Sequence, residues 1–160
     1  MMKPLPLNPK EKIHYHIDAI FGFGVSDGLP ENLHFEYSKR TGRIKNISIG
    51  NQLVATLRKD GGLALTIFGA TELLKNRRFK ENCVLPCEEA VPFVSEGRSL
   101  FCKHVEWCGS NVKLGSDVAI IDRNDRVIAI GRALFGSKVM KKYHKGVAVK
   151  IREGIKSRSN

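Results

Sequence analysis

The chain has 160 residues and a formal net charge of +11, from 27 Lys or Arg against 16 Asp or Glu. Hydrophobic residues make up 42% of the chain, which is enough for a packed core and argues against wholesale disorder. No apolar run approaches the roughly 20 residues of a membrane-spanning helix, and the N-terminal residues lack the apolar stretch of a signal peptide, so we expect a soluble, cytoplasmic protein with no membrane partner.

The first predicted element is an amphipathic helix from about Pro9 to Phe21. Asn8 is a suitable N-cap, and proline is favoured at the first helical position that follows it. Ile13, Ile17 and Phe21 recur at the spacing of one helical face, and two glycines follow the last of them.

Residues 33 to 67 change to a period of two, which predicts four short antiparallel strands. The connections are "RTG", a two-residue turn at Gly50-Asn51, and "KDGG". One or two helical turns are expected at residues 71 to 75. The polar, charged segment 75 to 82 has no periodicity and is predicted to be a linker.

Short strands separated by Gly and Asp turns follow, which predicts a small barrel. In chain order we expect a strand "CVLP", a short helix "EEAVPFVSEG", a continuous strand "SLFCKHVEW", a hairpin from "VKLGSDVAIID" to "RVIAIGRA", a short helix or loop "SKVMKKYHKG" and a last strand "VAVKI". The tail "KSRSN" is expected to be disordered.

The four cysteines are Cys83, Cys87, Cys102 and Cys108, with spacings that differ from the C-x2-C pairs of zinc sites. We predict reduced, mostly buried thiols, with no metal and no cofactor. If "SLFCKHVEW" is one strand, Cys102 and His104 face the same side, so a reactive Cys/His pair is an alternative to test.

Positive charge is concentrated in the last quarter of the chain. From Asp122 onward there are eleven Lys or Arg and three acids, a net of +8, which is the electrostatic signature of a polyanion partner. Gly131 ends an apolar run and precedes Arg132. A bare glycine would let an RNA backbone approach, and Arg132 would donate two hydrogen bonds to a phosphate.

Three stretches of the second half, "EGRSLFCKHV", "LGSDVAIIDRNDRVIAIGRA" and "KGVAVKIREG", resemble a PUA domain, an RNA-binding module. Upstream, "FGFGVSDGLPENLHFEYSKRTGRIKNI" and "QLVATLRKDGGLALTIFGATEL" look like the accessory domain that precedes the PUA domain in archaeal tRNA-guanine (archaeosine) transglycosylases. The resemblance implies an α+β protein. A cystatin-like pre-PUA domain, with its helix packed on a curved antiparallel sheet, would occupy residues 1–78, and a mostly β PUA pseudo-barrel residues 79–156.

The same resemblance implies a non-catalytic protein that docks the acceptor region of tRNA for a separate RNA-modification enzyme. The catalytic barrel and zinc site of the transglycosylases are missing, and Asp117, Asp122 and Asp125 sit where turns favour aspartate, so we expect no transglycosylase activity from this chain alone. An adaptor that acts through protein contacts in translation or ribosome assembly is the alternative. The expected RNA contacts are Arg98, Lys103, Gly131, Arg132, Lys138, Lys141, Lys142 and Lys150, with Arg40 and Arg43 as a secondary contact.

Overall fold

A computed structural model describes residues 8–157 of the protein. Its helices are α1 (Pro9–Phe21), α2 (Ile67–Leu74), α3 (Val91–Ser95) and α4 (Ser137–Lys142). Its strands are β1 (Leu33–Tyr37), β2 (Ile44–Ile49), β3 (Gln52–Leu57), β4 (Leu63–Leu65), β5 (Cys83–Pro86), β6 (Leu100–Phe101), β7 (Val105–Cys108), β8 (Asp117–Ile121), β9 (Val127–Ala133) and β10 (Val147–Gly154). The expected α+β class is confirmed.

Helix α1 has the predicted bounds because both of its ends carry local signals. The side-chain oxygen of Asn8 accepts a hydrogen bond from the Glu11 amide at 2.8 Å, which satisfies one of the free amides of the first turn. Gly22 ends the helix with a φ of 123°, a conformation that favours glycine. Ile13, Ile17 and Phe21 are buried against the first sheet and α2.

The first sheet has the order β1-β2-β3-β4 and is antiparallel throughout, as the alternating pattern predicted. Helix α2 is longer than expected and begins at Ile67, because the Thr66 hydroxyl accepts a hydrogen bond from the Gly69 amide. A Cβ at Gly69 would lie 2.0 Å from the Val54 carbonyl oxygen, so the helix packs directly on the backbone of β3.

The second sheet has the order β6-β10-β9-β8-β5-β7 and curls into a half-barrel. All neighbours in it are antiparallel except β5 and β8, which are parallel. Side chains from all six strands and from α3 and α4 fill its interior: Val84, Val94, Leu100, Cys108, Val118, Ile120, Ile128, Met140 and Val149.

The prediction of one continuous strand through "SLFCKHVEW" is wrong. Strand β6 ends at Phe101, a 3₁₀ turn occupies Cys102–His104, and β7 begins at Val105. Because β6 pairs with β10 and β7 pairs with β5, the two strands lie at opposite edges of the sheet. The turn carries the chain from one edge to the other, so Cys102 and His104 are not neighbours on one strand face.

The predicted linker at residues 75 to 82 is also wrong. Arg77–Asn82 forms a 3₁₀ helix in which Phe79 is fully buried, with its ring centroid 5.5 Å from that of Phe21. The Asn82 side chain donates to the Phe21 carbonyl at 2.7 Å. The core beside α1 continues into the second sheet through Ala119 and Ile130, so the two units share buried surface. The expected boundary between residues 78 and 79 lies inside this 3₁₀ helix.

The chain ends fall partly outside the described residues. The expectations for the N-terminal segment before residue 8 and for the tail beyond residue 157 concern residues that the structure does not describe. Lys156 and Ser157, which were expected in the disordered tail, form a turn in which the Lys156 amide donates to the Ser95 carbonyl. Within residues 8–157, no helix combines the length and the apolar character needed to cross a bilayer.

Candidate nucleic-acid interface

Arg132 on β9 and Lys150 on β10 are directly paired strand neighbours. Paired residues in an antiparallel sheet point to the same face, so the two cations lie side by side, and both are exposed. Neither forms an ion pair with any residue between 8 and 157. They are therefore a double cationic site with no internal counter-charge.

The interpretation of Gly131 as an open approach for RNA is wrong. Gly131 is buried, and a Cβ at this position would lie 2.4 Å from the Lys150 carbonyl oxygen. The glycine is needed so that β9 and β10 can approach each other. The open glycine beside Arg132 is Gly115, which has a φ of +86°. The Arg132 guanidinium lies over it, and the Nη2 atom is 3.6 Å from the position that a Cβ of residue 115 would take.

Asp117 is the other strand neighbour of Arg132, at the first position of β8. The prediction that Asp117 lies in a turn is wrong, because it is a buried strand residue that is only 6% exposed. Its carboxylate accepts hydrogen bonds from Arg152 at 2.7 and 3.1 Å and from the Leu65 amide at 2.8 Å. The charge of Asp117 is thus used to join the second sheet to β4, and it is directed to Arg152 and not to Arg132.

The lysines of α4 lie in the connection between β9 and β10, at the end of these strands nearest Arg132 and Lys150. Lys138, Lys141 and Lys142 are all exposed. Lys103 lies in the 3₁₀ turn whose Cys102 amide donates to the Gly146 carbonyl, just before β10. We call these six cations the β9–β10 surface: Lys103, Arg132, Lys138, Lys141, Lys142 and Lys150.

Exposed apolar side chains lie among the cations of the β9–β10 surface. Phe101 pairs with the first residue of β10, and the Leu134 amide donates to the Ala148 carbonyl. The Tyr143 ring follows α4 and packs edge-on against the Phe135 ring, with centroids 5.7 Å apart. Phe101, Leu134 and Tyr143 are all exposed. Aromatic rings interleaved with Lys and Arg are suited to binding nucleic acid, because bases stack on rings while cations hold phosphates.

Arg98 lies away from the β9–β10 surface. The residue before it, Gly97, packs against Gly154 and Ser157 at the far end of β10, four residues beyond Lys150. The guanidinium of Arg98 lies over the Phe93 ring, 5.6 Å from its centroid. Arg98 therefore lies with Phe93 at the opposite end of β10 from the β9–β10 surface.

Arg40 and Arg43 are exposed at the turn between β1 and β2. They line a groove of about 890 Å³ that lies between α1, this turn and the β3–β4 turn, and that we call the α1 groove. Lys12, Lys45, Arg58 and Lys59 line it as well. Lys45 follows the same turn, but Lys12 and the Arg58-Lys59 pair are distant from it along the chain, so no motif or spacing could have grouped them with Arg40 and Arg43.

The thiols do not form the Cys/His pair considered from the sequence. Cys102 is buried, and burial raises its pKa. Burial also raises the pKa of Cys108 to about 11 and that of Cys83 further still. His104 instead lies beside the half-buried Cys87, with 3.4 Å between its Nδ1 and the Sγ. Among residues 8–157, no three His, Cys, Asp or Glu side chains are grouped as a metal site requires.

Two family models match the chain, one for each sheet. Residues 11–79 match the patch-forming domain C2 of tRNA-guanine transglycosylase, and residues 87–155 match the PUA domain. Among the similar proteins is the tRNA-guanine(15) transglycosylase of Methanobrevibacter smithii, 33% identical over 148 residues. That of Methanothermobacter thermautotrophicus is also 33% identical, over 146 residues. These alignments cover 91% and 90% of the chain, but the chain spans only 22% of either relative.

Solved structures with the same fold cover nearly the whole chain. A hypothetical protein from Pyrococcus horikoshii OT3 superimposes with a TM-score of 0.73 at 22% identity, over 96% of this chain and 95% of that one. A conserved PUA domain protein from Thermoplasma acidophilum gives a TM-score of 0.66 at 15% identity, over 92% and 89%. At these identities the likeness establishes the shared two-part fold, and the arrangement of helix, meander and half-barrel is common to all three proteins.

Proposed function

Because the chain combines the C2 patch-forming domain of tRNA-guanine transglycosylases with a PUA domain, we propose that it binds structured RNA through the β9–β10 surface. The observation that carries the proposal is the direct pairing of Arg132 with Lys150, two exposed cations without an internal counter-charge. A guanidinium donates to phosphate oxygens in a planar fork, and a neighbouring ammonium adds a second, more flexible contact.

We propose tRNA as the RNA, bound near its acceptor region. This proposal is supported by the similarity of 90% or more of the chain to tRNA-guanine(15) transglycosylases. The lysines of α4 and Lys103 would extend the contact from Arg132 and Lys150 along a helical backbone. Since phosphate contacts dominate such binding, affinity should fall with salt by about 0.7 to 0.9 log units per contact for each log unit of salt.

The role that follows is to hold tRNA for a catalytic RNA-modification subunit, with no base exchange by this chain alone. Two of the aspartates considered from the sequence have structural contacts. Asp117 binds Arg152 and the Leu65 amide, and Asp122 accepts from two backbone amides of its own turn. Incorporation of labelled guanine into tRNA, measured with the chain alone and with a candidate catalytic partner, tests this role. Incorporation by the chain alone would contradict it.

Filter binding of labelled tRNA over a salt series tests RNA binding itself. The double variant R132A/K150A should bind more weakly and show a shallower salt dependence. The matched control is R123A/R126A, which removes the same charge from the β8–β9 turn. There Arg123 is paired with Glu88 and Glu106, and Arg126 with Asp122. Equal losses in both variants would mean that binding follows net charge and has no site at the β9–β10 surface.

A further inference from the structure

The α1 groove is lined by cations of one sign. Lys12 comes from α1, Arg40, Arg43 and Lys45 from the β1–β2 hairpin, and Arg58 and Lys59 from the end of β3 and the turn after it. Among residues 8–157, no Asp or Glu lines the groove. Such a set of like charges around a concave surface concentrates a positive potential inside it.

The cations of the groove are almost free of internal partners. Within the described part of the chain, none of Lys12, Arg40, Arg43, Lys45 and Lys59 forms an ion pair. Arg58 lies 3.7 Å from Asp117, whose carboxylate already holds the closer Arg152. Solvent ions or an anionic ligand would relieve the repulsion among these groups.

The wall between α1 and the sheet is apolar, in contrast to the rim. Ile13, Ile44, Leu57 and the Tyr37 ring line it. Tyr37 is 47% exposed and stands at a register shift at the end of β1, opposite Ile44. An apolar surface with one exposed ring, surrounded by cations, suits a ligand that is flat and apolar in one part and anionic in another. The volume, about 890 Å³, lies in the range of ligand-binding clefts.

We propose that the α1 groove binds an unpaired nucleotide segment of the RNA, with a base against Tyr37 and the flanking phosphates on the cations of the rim. This inference rests on the proposed function, because the groove would hold a second part of the same RNA. It also gives Arg40 and Arg43, expected as a secondary contact, a defined site with four further cations and a base-binding ring.

The position of Arg58 brings the rim of the α1 groove close to the β9–β10 surface. Arg58 faces Asp117, and Asp117 is the direct strand neighbour of Arg132. Neighbouring strands lie about 4.8 Å apart, so the rim of the groove comes within a few strand spacings of the β9–β10 surface. One polyanion can therefore run from one to the other, and an RNA supplies both the phosphate spacing and the bases that the groove requires.

The test uses the full chain and a fluorescent hexauridylate, followed by anisotropy at low salt. The double variant R40E/R43E should weaken binding at least tenfold. Its control is K39E/R77E, an equal charge change at two exposed positions, one of them on the same β1–β2 turn but neither lining the groove. The control should lose less than twofold. Equal losses in the two variants would overturn the site.

The base-binding role of Tyr37 has a separate readout. Tyr37→Ala should weaken hexauridylate binding about fivefold or more, since stacking of a base on a ring contributes that much, while Tyr37→Phe should keep it. An abasic hexamer with the same phosphates should bind weakly to all three proteins. Equal affinity of hexauridylate and the abasic hexamer, or of a hexaglutamate peptide, would overturn the assignment to unpaired RNA.

The groove and the proposed function fail in different ways. In R132A/K150A, tRNA binding should fall while hexauridylate binding persists in the groove. If hexauridylate binding is lost in R132A/K150A and kept in R40E/R43E, the groove is not the site, although RNA binding by the β9–β10 surface stands. If neither double variant changes tRNA binding relative to its control, the proposed function fails.

Discussion

Arg132 and Arg152 both lie beside Asp117 in the second sheet, but only Arg152 binds it. Arg152 donates to both carboxylate oxygens and to the Leu65 carbonyl, and it holds β4 of the first sheet against β8 of the second. Arg132, the direct strand partner of Asp117, is exposed above Gly115 and forms no ion pair within residues 8–157. We call the first arrangement the Asp117 contact.

The two regions differ because the Asp117 carboxylate binds Arg152 and not Arg132. The buried Asp117 carboxylate neutralises Arg152 and accepts a hydrogen bond from the Leu65 amide, so its charge joins the two sheets. Arg132 and Lys150 then remain as uncompensated cations a single strand away. The same sheet thus carries a structural ion pair and an open cationic site, and substitutions should separate stability from RNA affinity.

The largest expected effect is on the Asp117 contact. Asp117→Ala leaves the Leu65 amide without its acceptor and Arg152 without its counter-charge, which should lower the free energy of unfolding by about 2 to 4 kcal/mol. The side chain of Arg152 is partly exposed, so water relieves some of the loss. Urea denaturation measures this change. A loss below about 0.5 kcal/mol, the size of an ordinary surface substitution, would contradict the structural role of the contact.

Gly131→Ala should come next, and it should act on stability as well. The added methyl group would lie 2.4 Å from the Lys150 carbonyl oxygen, so β9 and β10 would have to separate. We expect a loss of about 1 to 3 kcal/mol, measured by thermal and urea unfolding. RNA affinity at a temperature where the variant is still folded should fall less than in R132A/K150A, because both cations remain. A variant of full stability that had lost its RNA affinity would restore the rejected interpretation of Gly131 as a ligand approach.

The R132A/K150A variant should lose RNA affinity and keep its stability, the reverse of the two preceding substitutions. Hydrogen bonds to charged groups contribute about 1.5 kcal/mol or more each, so tRNA affinity should fall about tenfold or more. Loss of two phosphate contacts should make the salt dependence shallower by about 1.4 to 1.8 log units per log unit of salt. The unfolding midpoint should stay nearly unchanged, because both side chains are exposed. A large drop in stability would show that these residues belong with the Asp117 contact.

The smallest effect is expected at Arg98, which lies with Phe93 at the far end of β10. Arg98→Ala should change tRNA affinity by about twofold or less, and stability by no more than an exposed cation–π contact, about 0.5 to 1 kcal/mol. Filter binding beside R132A and K150A as single variants measures the first quantity. If Arg98→Ala weakens binding as much as Arg132→Ala, the RNA contact extends along the whole of β10.

Elements with strong local signals could be predicted from the sequence. The Asn8 cap and Gly22 bound α1, and the two-residue turn at Gly50-Asn51 sets the pairing of Ile49 with Gln52. The strands that flank the glycine and aspartate turns of the half-barrel follow the same logic. In each case the residues that determine the conformation are neighbours along the chain, so the pattern alone is sufficient.

Elements that depend on distant partners could not be predicted in the same way. The segment 75 to 82 has a polar sequence, yet Phe79 packs against Phe21, and the Asn82 side chain donates a hydrogen bond to the Phe21 carbonyl at the end of α1. "SLFCKHVEW" alternates like one strand, but the partners of its two halves, β10 and β5, lie at opposite edges of the sheet. Burial and strand pairing of this kind are properties of the assembled chain.

The sequence by itself determined the order of the elements, the basic excess of the last quarter and the identity of Arg132, Lys150 and the α4 lysines as candidate contacts. The tertiary structure alone decided which of these cations are free. The register of β8, β9 and β10 places Asp117, Arg132 and Lys150 in one row. The Asp117 carboxylate nevertheless binds Arg152 and the Leu65 amide of β4. Packing of α1 on the sheet likewise gathers Lys12, Arg43 and Arg58 into one groove. Electrostatic interactions depend on distance in space and on burial, and a linear pattern records neither.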